Sequence, residues 1–212
     1  MTRSYGDSCG VARGLDVIGE RWAALVVRDL LLGPKRFGDL LAGLPGLSPN
    51  VLTQRLRDLV DLGVVRRRDL GAPARVHLYE LTEWGRDLEP VLLGLGRWGS
   101  RAPAPPDRPL GIDSLMLGVK AVFDAARAAE LHGLYELRVD GDGYVLEVTG
   151  GTLLIGRGTS PRPPDAVLTT DLDTLRAVCD GRVTFDDPSL EVEGDEAALR
   201  RLAALLVSGG HA

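Results

Sequence analysis

A proline-rich segment near the middle of the chain is the feature that most restricts the possible folds. The segment reads RAPAPPDRPLG over residues 101–111 and places proline at positions 103, 105, 106 and 109. Proline lacks a backbone N–H and fixes φ, so such a run breaks helices and sheets and favours an extended spacer. The sequence therefore predicts two folded regions, residues 1–101 and 112–212, joined by a linker over residues 102–111.

The two halves differ in charge. Residues 1–101 contain 15 Arg and Lys against 12 Asp and Glu, whereas residues 102–212 contain 10 against 18. Neutralising the phosphates of DNA requires a positive face, so any contact with DNA is expected in the first half.

Composition also argues against several classes of protein. No apolar run is long enough to span a membrane, and the first ten residues lack the apolar core of a secretory signal. We therefore expect a cytoplasmic protein with no membrane partner. The two cysteines and three histidines are scattered, so we expect no metal site, no cofactor and no catalytic residues, and hence no enzyme.

The start of the chain has the apolar spacing of helices. Four apolar residues recur at intervals of three and four along one predicted helix face: Val11, Leu15, Ile18 and Trp22. The run RWAALVVRDLLLG then predicts a buried helix that ends at Gly33 and Pro34.

Two further helices joined by a tight turn are predicted next. Phe37, Leu40, Leu41 and Leu44 mark the first, which is broken by the following Pro-Gly pair. Ser48 can cap the free N–H groups of the second helix, and Pro49 suits its first helical position. The inward residues of the second helix are Leu52, Leu56 and Leu59; its outward residues are Asn50, Gln54, Arg57 and Asp61, with Thr53 to one side.

This outward face has the chemistry of base recognition. Asn and Gln pair with adenine in the major groove and Arg pairs with guanine, whereas Thr53 can contact a thymine methyl or a phosphate. Two helices with a glycine-containing turn form a helix-turn-helix. The alternative is an ordinary solvated helix face.

A basic hairpin after the second helix favours DNA binding. Residues 64–68 and 76–81 predict two strands separated by a Gly/Pro turn, and four arginines cluster on the resulting hairpin. Such a wing reaches the DNA backbone or the minor groove, while Lys35 and Arg36 precede a helix whose N-terminus favours phosphate. The candidate DNA-contacting residues are Lys35, Arg36, Ser48, Asn50, Thr53, Gln54, Arg57, Arg66, Arg67, Arg68 and Arg75.

The last helix of this half carries an apolar seam. Its members are spaced by four, three, four and three residues: Trp84, Leu88, Val91, Leu95 and Trp98. One helix cannot bury such a heptad seam alone, so a partner helix is implied, although Pro90 should kink or split the stretch. With Val11 and Leu15 these residues form the predicted dimerisation set. The alternative is that the seam packs against its own domain.

The chain from Cys9 to Gly99 resembles the HxlR family of bacterial winged-helix regulators. The matching strings are Cys9, IGERW at 18–22, LLGPKRFGDLLAGLPGLS at 31–48, LTQRLRDL at 52–59, LGVVRR at 62–67, YELTEWG at 79–85 and RWG at 97–99. The resemblance implies a homodimer whose two recognition helices enter successive major grooves of a roughly palindromic operator.

In some regulators of this kind a cysteine at the start of the first helix senses electrophiles or oxidants, and Cys9 occupies that place. A thiol at a helix N-terminus has a lowered pKa and reacts as thiolate. The alternative is a small residue that fills the dimer interface.

The second half has mixed helix and strand signals. A helix is predicted over 115–129, followed by the strands LYELRV, YVLEVT, TLLIGR, AVLTTD and LEVEGD and by helices after Asp171 and over 196–207. This order predicts an α+β domain with helices packed on a mixed or antiparallel sheet.

The C-terminal pattern, from TTDLDTLRAVCDGRVTF to LEVEGDEAALRRLAALL, resembles the sterol-carrier-protein-like domain. That resemblance implies an apolar cavity for a hydrophobic small-molecule ligand; the alternative is a filled core with an architectural or dimerising role. The leading hypothesis is a dimeric transcriptional regulator with an effector-binding C-terminal domain. The second is a lipid or metabolite carrier whose winged helix mediates protein contacts.

Overall fold

The computed structural model describes residues 4–71, 76–103 and 110–206. The chain forms two compact units, Met1–Leu92 and Leu93–Ala212. Most of the predicted linker, residues 104–109, lies outside the described residues. The linker and the exact domain boundaries therefore stay predictions. Within the described part of the chain, no helix has the length and apolarity to cross a membrane.

The first unit is built mainly of short helices around one hairpin. Its elements are α1 (Gly10–Ile18), α2 (Ala23–Leu30), α3 (Phe37–Gly43), α4 (Pro49–Asp61), β1 (Val65–Asp69), β2 (His77–Leu81), α5 (Glu83–Arg86) and the start of α6 (Glu89–Gly99). The predicted inward residues of α3 and α4 are confirmed as core, because Leu40, Leu52, Leu56 and Leu59 are all buried. They pack with Val26 and Val27 of α2 in one apolar cluster.

The first helix is shorter than predicted. It ends at Ile18, and Trp22 has a φ of 79°, in the left-handed region, which no helix continues through. The prediction that Trp22 extends the α1 face is therefore wrong. The break lets the Trp22 side chain pack, partly buried, against the core of the unit.

The hairpin is joined by a third short segment. Strands β1 and β2 pair antiparallel, with Arg66 opposite Glu80 and Asp69 opposite His77. Lys35 also pairs with Tyr79 through two backbone hydrogen bonds of 3.0 and 2.8 Å. The segment before α3 is thus tied to the wing, and the predicted winged helix-turn-helix fold is confirmed.

The apolar seam does not run along one helix. A turn at Asp87 and Leu88 separates α5 from α6. Helix α6 begins at Glu89, the residue before Pro90. Leu88 is partly buried against the core of the first unit. The residues from Trp84 to Trp98 are therefore divided between two helices, α5 and α6, and the break predicted from Pro90 is confirmed.

In its described residues, the second unit combines a sheet with the end of α6 and three further helices. Its elements after α6 are α7 (Ile112–Val122), β3 (Gly133–Val139), β4 (Asp142–Thr149), β5 (Thr152–Arg157), β6 (Ala166–Thr170), α8 (Leu172–Cys179), β7 (Glu191–Gly194) and α9 (Glu196–Leu206). The strand order is β5-β4-β3-β6-β7. Strands β3 and β6 are parallel and the other pairs are antiparallel, so the predicted α+β fold with a mixed sheet is confirmed.

Turns and caps explain most of this order. The hairpin turn at Asp140 and Gly141 has φ values of 51° and 89°, which suits the tight turn between β3 and β4. Asp171 caps α8 as predicted, since its carboxylate accepts from the Thr174 N–H at 2.8 Å. The predicted helix over 115–129 is wrong beyond Val122, because Phe123 leaves helical geometry and the Asp124 carboxylate binds the N–H of Ala126 instead.

Candidate DNA interface and apolar cavity

Helix α4 begins as the sequence predicts. Pro49 is its first residue, and the Ser48 hydroxyl accepts from the Val51 N–H at 3.4 Å. Capping in this way satisfies one of the free N–H groups at the helix start. The hydroxyl of Ser48 is therefore already in use as a cap.

The outward face of α4 is open to solvent. Asn50, Gln54 and Arg57 are exposed, opposite the buried leucines. Gln54 Nε2 donates to Asp58 Oδ1 at 2.7 Å, and the Thr53 hydroxyl donates to the Pro49 carbonyl at 2.8 Å. Contact with a base would therefore require Gln54 to exchange its amide partner, whereas Thr53 keeps its methyl group and oxygen lone pairs available.

Arg55 links α4 to the segment before α2, a contact that the sequence analysis did not predict. Its guanidinium lies 3.2 Å from Asp58 on the same helix and 3.5 Å from Glu20 in the segment between α1 and α2. The three-residue spacing to Asp58 is visible in the sequence, but the contact with Glu20 depends on the tertiary fold.

The wing arginines share two carboxylates. Arg66 Nε lies 2.8 Å from Glu80 Oε1, and Arg68 Nη1 lies 3.4 Å from Glu80 Oε2, while Arg67 lies 3.4 Å from Asp69. The three arginine side chains are nonetheless 62%, 49% and 49% exposed in chain order. Each guanidinium has five N–H groups, so each retains donors for phosphate.

Glu80 and Asp69 limit the positive charge of the wing. Glu80 is buried, and the register that places it opposite Arg66 follows from the hairpin. A hydrogen bond from His77 lowers the pKa of Asp69, so this carboxylate stays ionised at neutral pH. Arg75 lies outside the described residues.

Lys35 is not placed to contact DNA, contrary to the sequence prediction. It is 5% exposed and its ammonium lies 3.2 Å from the buried Asp29 carboxylate. Lys35 also does not start α3, because its backbone pairs with that of Tyr79 as an antiparallel bridge. Arg36 is exposed, and its backbone N–H donates to Asp39, so an acidic side chain already occupies this helix end.

The predicted dimerisation residues are mostly exposed. Those with large exposed apolar side chains are Val11, Leu15, Trp84, Val91, Leu95 and Trp98. Leu88 is the exception, since it packs partly in the core of its own unit. A groove of about 370 Å³ in the first unit is lined by α1 residues, including Gly10 and Gly14, together with Trp84 and Leu88.

Cys9 is exposed at the N-terminal end of α1. Backbone N–H groups of Val11 and Ala12 lower the pKa of its thiol, because they stabilise the thiolate at the helix start. Cys179 differs: burial raises the pKa of its thiol to about 11.

The second unit contains a small apolar cavity of about 60 Å³ between the sheet and the helices α7, α8 and α9. Cys179 lies in its wall, as does Tyr135 of the central strand β3. The described residues contain no cluster of three or more His, Cys, Asp or Glu side chains suited to a metal.

Comparisons with known proteins concern the first half of the chain. The family model described as HxlR-like helix-turn-helix matches residues 17–105. An HTH-type transcriptional regulator of Mycobacterium tuberculosis is 39% identical over 107 residues, which cover 50% of this chain and 66% of that protein. The chain thus spans just under two thirds of the length of this relative.

A second relative is covered more completely. The HTH-type transcriptional regulator YvaP of Bacillus subtilis is 39% identical over 89 residues, which cover 42% of this chain and 82% of that protein. Among solved structures, the redox regulator HypR in its oxidized form is 34% identical with a TM-score of 0.43, over 46% of this chain and 100% of that chain.

Proposed function

The chain belongs to the HxlR-like helix-turn-helix family of transcriptional regulators, and we propose that it reads a specific DNA sequence as a homodimer. Proteins of this family are regulators and not enzymes. The observation that carries the proposal is the exposed polar face of α4, which lies next in the chain to the arginine-bearing hairpin.

The side chains of α4 suit base recognition. Asn50 and Gln54 can form paired hydrogen bonds with adenine, and Arg57 can do so with guanine, each pair discriminating by about 1–3 kcal/mol. Arg55 supports this role indirectly, because its ion pair with Glu20 links α4 to the segment between α1 and α2.

The wing supplies contacts that do not depend on sequence. Arg66, Arg67 and Arg68 retain exposed guanidinium groups, which favour binding to phosphates or to a narrow minor groove. The carboxylates of Glu80 and Asp69 hold these arginine side chains near the hairpin. Each arginine can therefore replace its carboxylate partner with a phosphate by a small side-chain movement.

Exposed apolar residues favour a second copy as partner. Within α6, Val91, Leu95 and Trp98 lie four and three residues apart and are 54%, 52% and 69% exposed. Val11 of α1 is 71% exposed. Covering such side chains in a symmetric interface removes apolar surface from water, and a dimer would present two α4 helices to a roughly palindromic operator.

The C-terminal unit is proposed as an effector module of the sterol-carrier-like type. Its apolar cavity favours the hypothesis of a hydrophobic small-molecule ligand over the alternative of a completely filled core. A ligand regulates DNA binding only if it favours one arrangement of the dimer over another.

Cys9 is proposed as a reactive thiol within this regulator. It is exposed and its pKa is lowered, which favours reaction with electrophiles or oxidants. Operator binding by wild type and Cys9→Ser, each with and without diamide, tests the idea. Loss of DNA binding in diamide only for wild type supports it, and an identical response of both proteins contradicts it.

DNA binding itself is tested with a fragment of the protein's own promoter in a gel-shift titration. A regulator forms a specific complex that weakens with salt, whereas a lipid or metabolite carrier with a protein-binding winged helix forms none. Arg67→Ala should weaken the complex. Arg182→Ala is the matched control, because Arg182 is also an exposed arginine paired with one aspartate but belongs to the second unit.

A further inference from the structure

Among the described residues that line the apolar cavity of the second unit, all but one belong to a helix or a strand. The sheet contributes side chains such as Leu137, Leu146 and Leu168, which lie on the interior strands β3, β4 and β6. Helices α7, α8 and α9 supply the others. Phe185 is the exception, because it lies between α8 and β7 in a stretch without regular secondary structure.

Residues 184–189, the Phe185 loop, have few ties to the rest of the unit. In the described part of the chain, the backbone-to-backbone hydrogen bonds of this loop are local turns, from Asp187 to Thr184 and from Leu190 to Asp187. None of these bonds reaches another helix or strand. A segment of this kind opens at a lower free energy than the helices and strands around it. The Phe185 loop is therefore the part of the cavity wall that moves most easily.

Arg200 joins the Phe185 loop to α9, a helix that also lines the cavity. Its Nη2 donates to Asp186 Oδ1 at 2.7 Å, and its guanidinium carbon lies 5.6 Å from the centre of the Phe185 ring. Glu196, four residues earlier on α9, accepts from the same guanidinium at 2.7 and 2.9 Å. Among the described residues, the pair with Asp186 is the one side-chain hydrogen bond between this loop and a helix or strand.

The volume of the cavity requires part of its wall to move. The cavity of about 60 Å³ is smaller than the roughly 150 Å³ that accepts benzene in an engineered protein. Because the lining is apolar, it suits a molecule without polar groups in the buried part. A ring-sized apolar molecule therefore fits only when a segment of the wall lies further out, and the Phe185 loop is the segment with the fewest ties.

We propose that the Phe185 loop is the entrance of this cavity and that Arg200 holds the entrance closed. The ligand is a ring-sized apolar molecule that binds the form in which the loop has moved outward. Its apparent affinity is then the intrinsic affinity multiplied by the fraction of open molecules. The inference rests on the proposed role of the C-terminal unit as an effector module, and it adds the route of access and the residue that controls it.

The test uses benzene, which has no polar group, and the full chain labelled with ¹³C at the methionine methyl groups. Met116 is 2% exposed and lines the cavity, so its methyl signal reports occupancy. Benzene should shift the Met116 signal of wild type in a saturable way. Ala203→Phe adds volume at the cavity wall and should abolish that shift.

Releasing the loop should tighten binding. An exposed cation–π contact changes an equilibrium by about two- to fivefold, and an exposed ion pair does so by up to about fivefold. Arg200→Ala loses both contacts and should raise the affinity for benzene by about three- to twentyfold. Asp186→Ala loses the ion pair alone and should raise it by about two- to fivefold. Arg200→Lys keeps a cation beside Asp186 and should lie closer to wild type.

Arg182→Ala is the matched control. Arg182 is an exposed arginine shortly before the loop, and its guanidinium donates to Asp180 at 2.7 Å. It has no hydrogen bond or ion pair with α9 among the described residues, so its loss should leave the affinity for benzene unchanged. Raising the salt concentration should narrow the difference between wild type and Asp186→Ala, because salt screens an exposed ion pair.

The proposal is overturned if benzene leaves the Met116 signal unchanged in both wild type and Arg200→Ala. It is also overturned if Arg200→Ala and Asp186→Ala bind benzene no more tightly than wild type, or if Arg182→Ala gains as much as they do. Promoter binding is measured on the same samples. An unresponsive cavity with intact promoter binding contradicts this inference alone, whereas absent promoter binding with the expected order of benzene affinities contradicts the proposed regulator.

Discussion

Replacing Lys35 distinguishes a buried structural ion pair from a contact with DNA. The side chains of Lys35 and Asp29 are 5% and 2% exposed, and their charged atoms lie 3.2 Å apart. Lys35→Ala therefore removes one partner of a buried carboxylate. We expect the protein to lose stability and to keep its electrostatic contacts with DNA.

The size of the loss follows from what remains around Asp29. Breaking a buried ion pair by truncation costs about 3–5 kcal/mol when the other charge is left without a partner. Asp29 retains Arg28, whose Nε and Nη2 donate to Oδ1 at 2.9 and 2.7 Å. We therefore expect Lys35→Ala to lower the free energy of unfolding by about 2–3 kcal/mol, below the full penalty.

Two measurements check this expectation. Urea unfolding followed by tryptophan fluorescence gives the stability, and binding to a random-sequence duplex at several salt concentrations gives the electrostatic slope. Arg36→Ala is the control, since Arg36 is the neighbouring exposed cation. It should change stability by less than about 0.5 kcal/mol and lower the salt slope by about 0.9 if Arg36 contacts one phosphate. A reduced slope with unchanged stability in Lys35→Ala would refute the reasoning.

Three further predictions concern the reading helix, the wing and the second unit. Gln54→Ala should relax base choice at one position of the selected DNA, whereas Arg67→Ala should weaken all sites evenly; an unchanged motif in Gln54→Ala contradicts the assigned reading face. A backbone N–H lowers the pKa of Glu136, so its contribution to stability is present above its ordinary pKa of about 4.3 and is lost as pH falls through the lowered value. Glu136→Gln should therefore flatten the decline in stability below about pH 5, and acid titrations with the same slope in both proteins would count against it. Tyr144→Phe should cost about 1–3 kcal/mol in urea unfolding, because it removes the donor to Asp113; a stability equal to wild type would contradict this.

Local signals explain why much of the fold is predictable from the sequence. The Ser48 and Pro49 pair sets the start of α4, the leucine spacing sets its buried face, and Asp140 with Gly141 sets the β3–β4 hairpin. Each of these features depends on residues within a few positions of one another, so propensity and periodicity capture it.

Errors arise where distant residues decide the outcome. Lys35 is buried because Asp29 and Tyr79 lie beside it, and no sequence pattern joins positions 29, 35 and 79. The split of the apolar seam is predicted from Pro90, although its position at Leu88 is not. The end of α7 is a different case, a missed local signal, because the Asp124 side chain competes with the helix for the N–H of Ala126.

The contacts of the candidate site also divide into those that local sequence signals predict and those that depend on distant residues. The exposed face of α4 and the four-residue spacing of Gln54 and Asp58 follow from helical periodicity, but the contact between Arg55 and Glu20 depends on the tertiary fold. In the second unit, residues 134–137 of β3 are all buried, so alternation along this strand does not mark one buried face.

Selection of bound duplexes from a random pool by the full chain tests the central claim most directly. The account predicts enrichment of an inverted repeat whose half-sites lie about 10 base pairs apart, the spacing that a symmetric dimer with one α4 helix in each of two successive major grooves requires. Failure to enrich any motif at salt concentrations that still permit non-specific binding would contradict sequence-specific recognition by this chain.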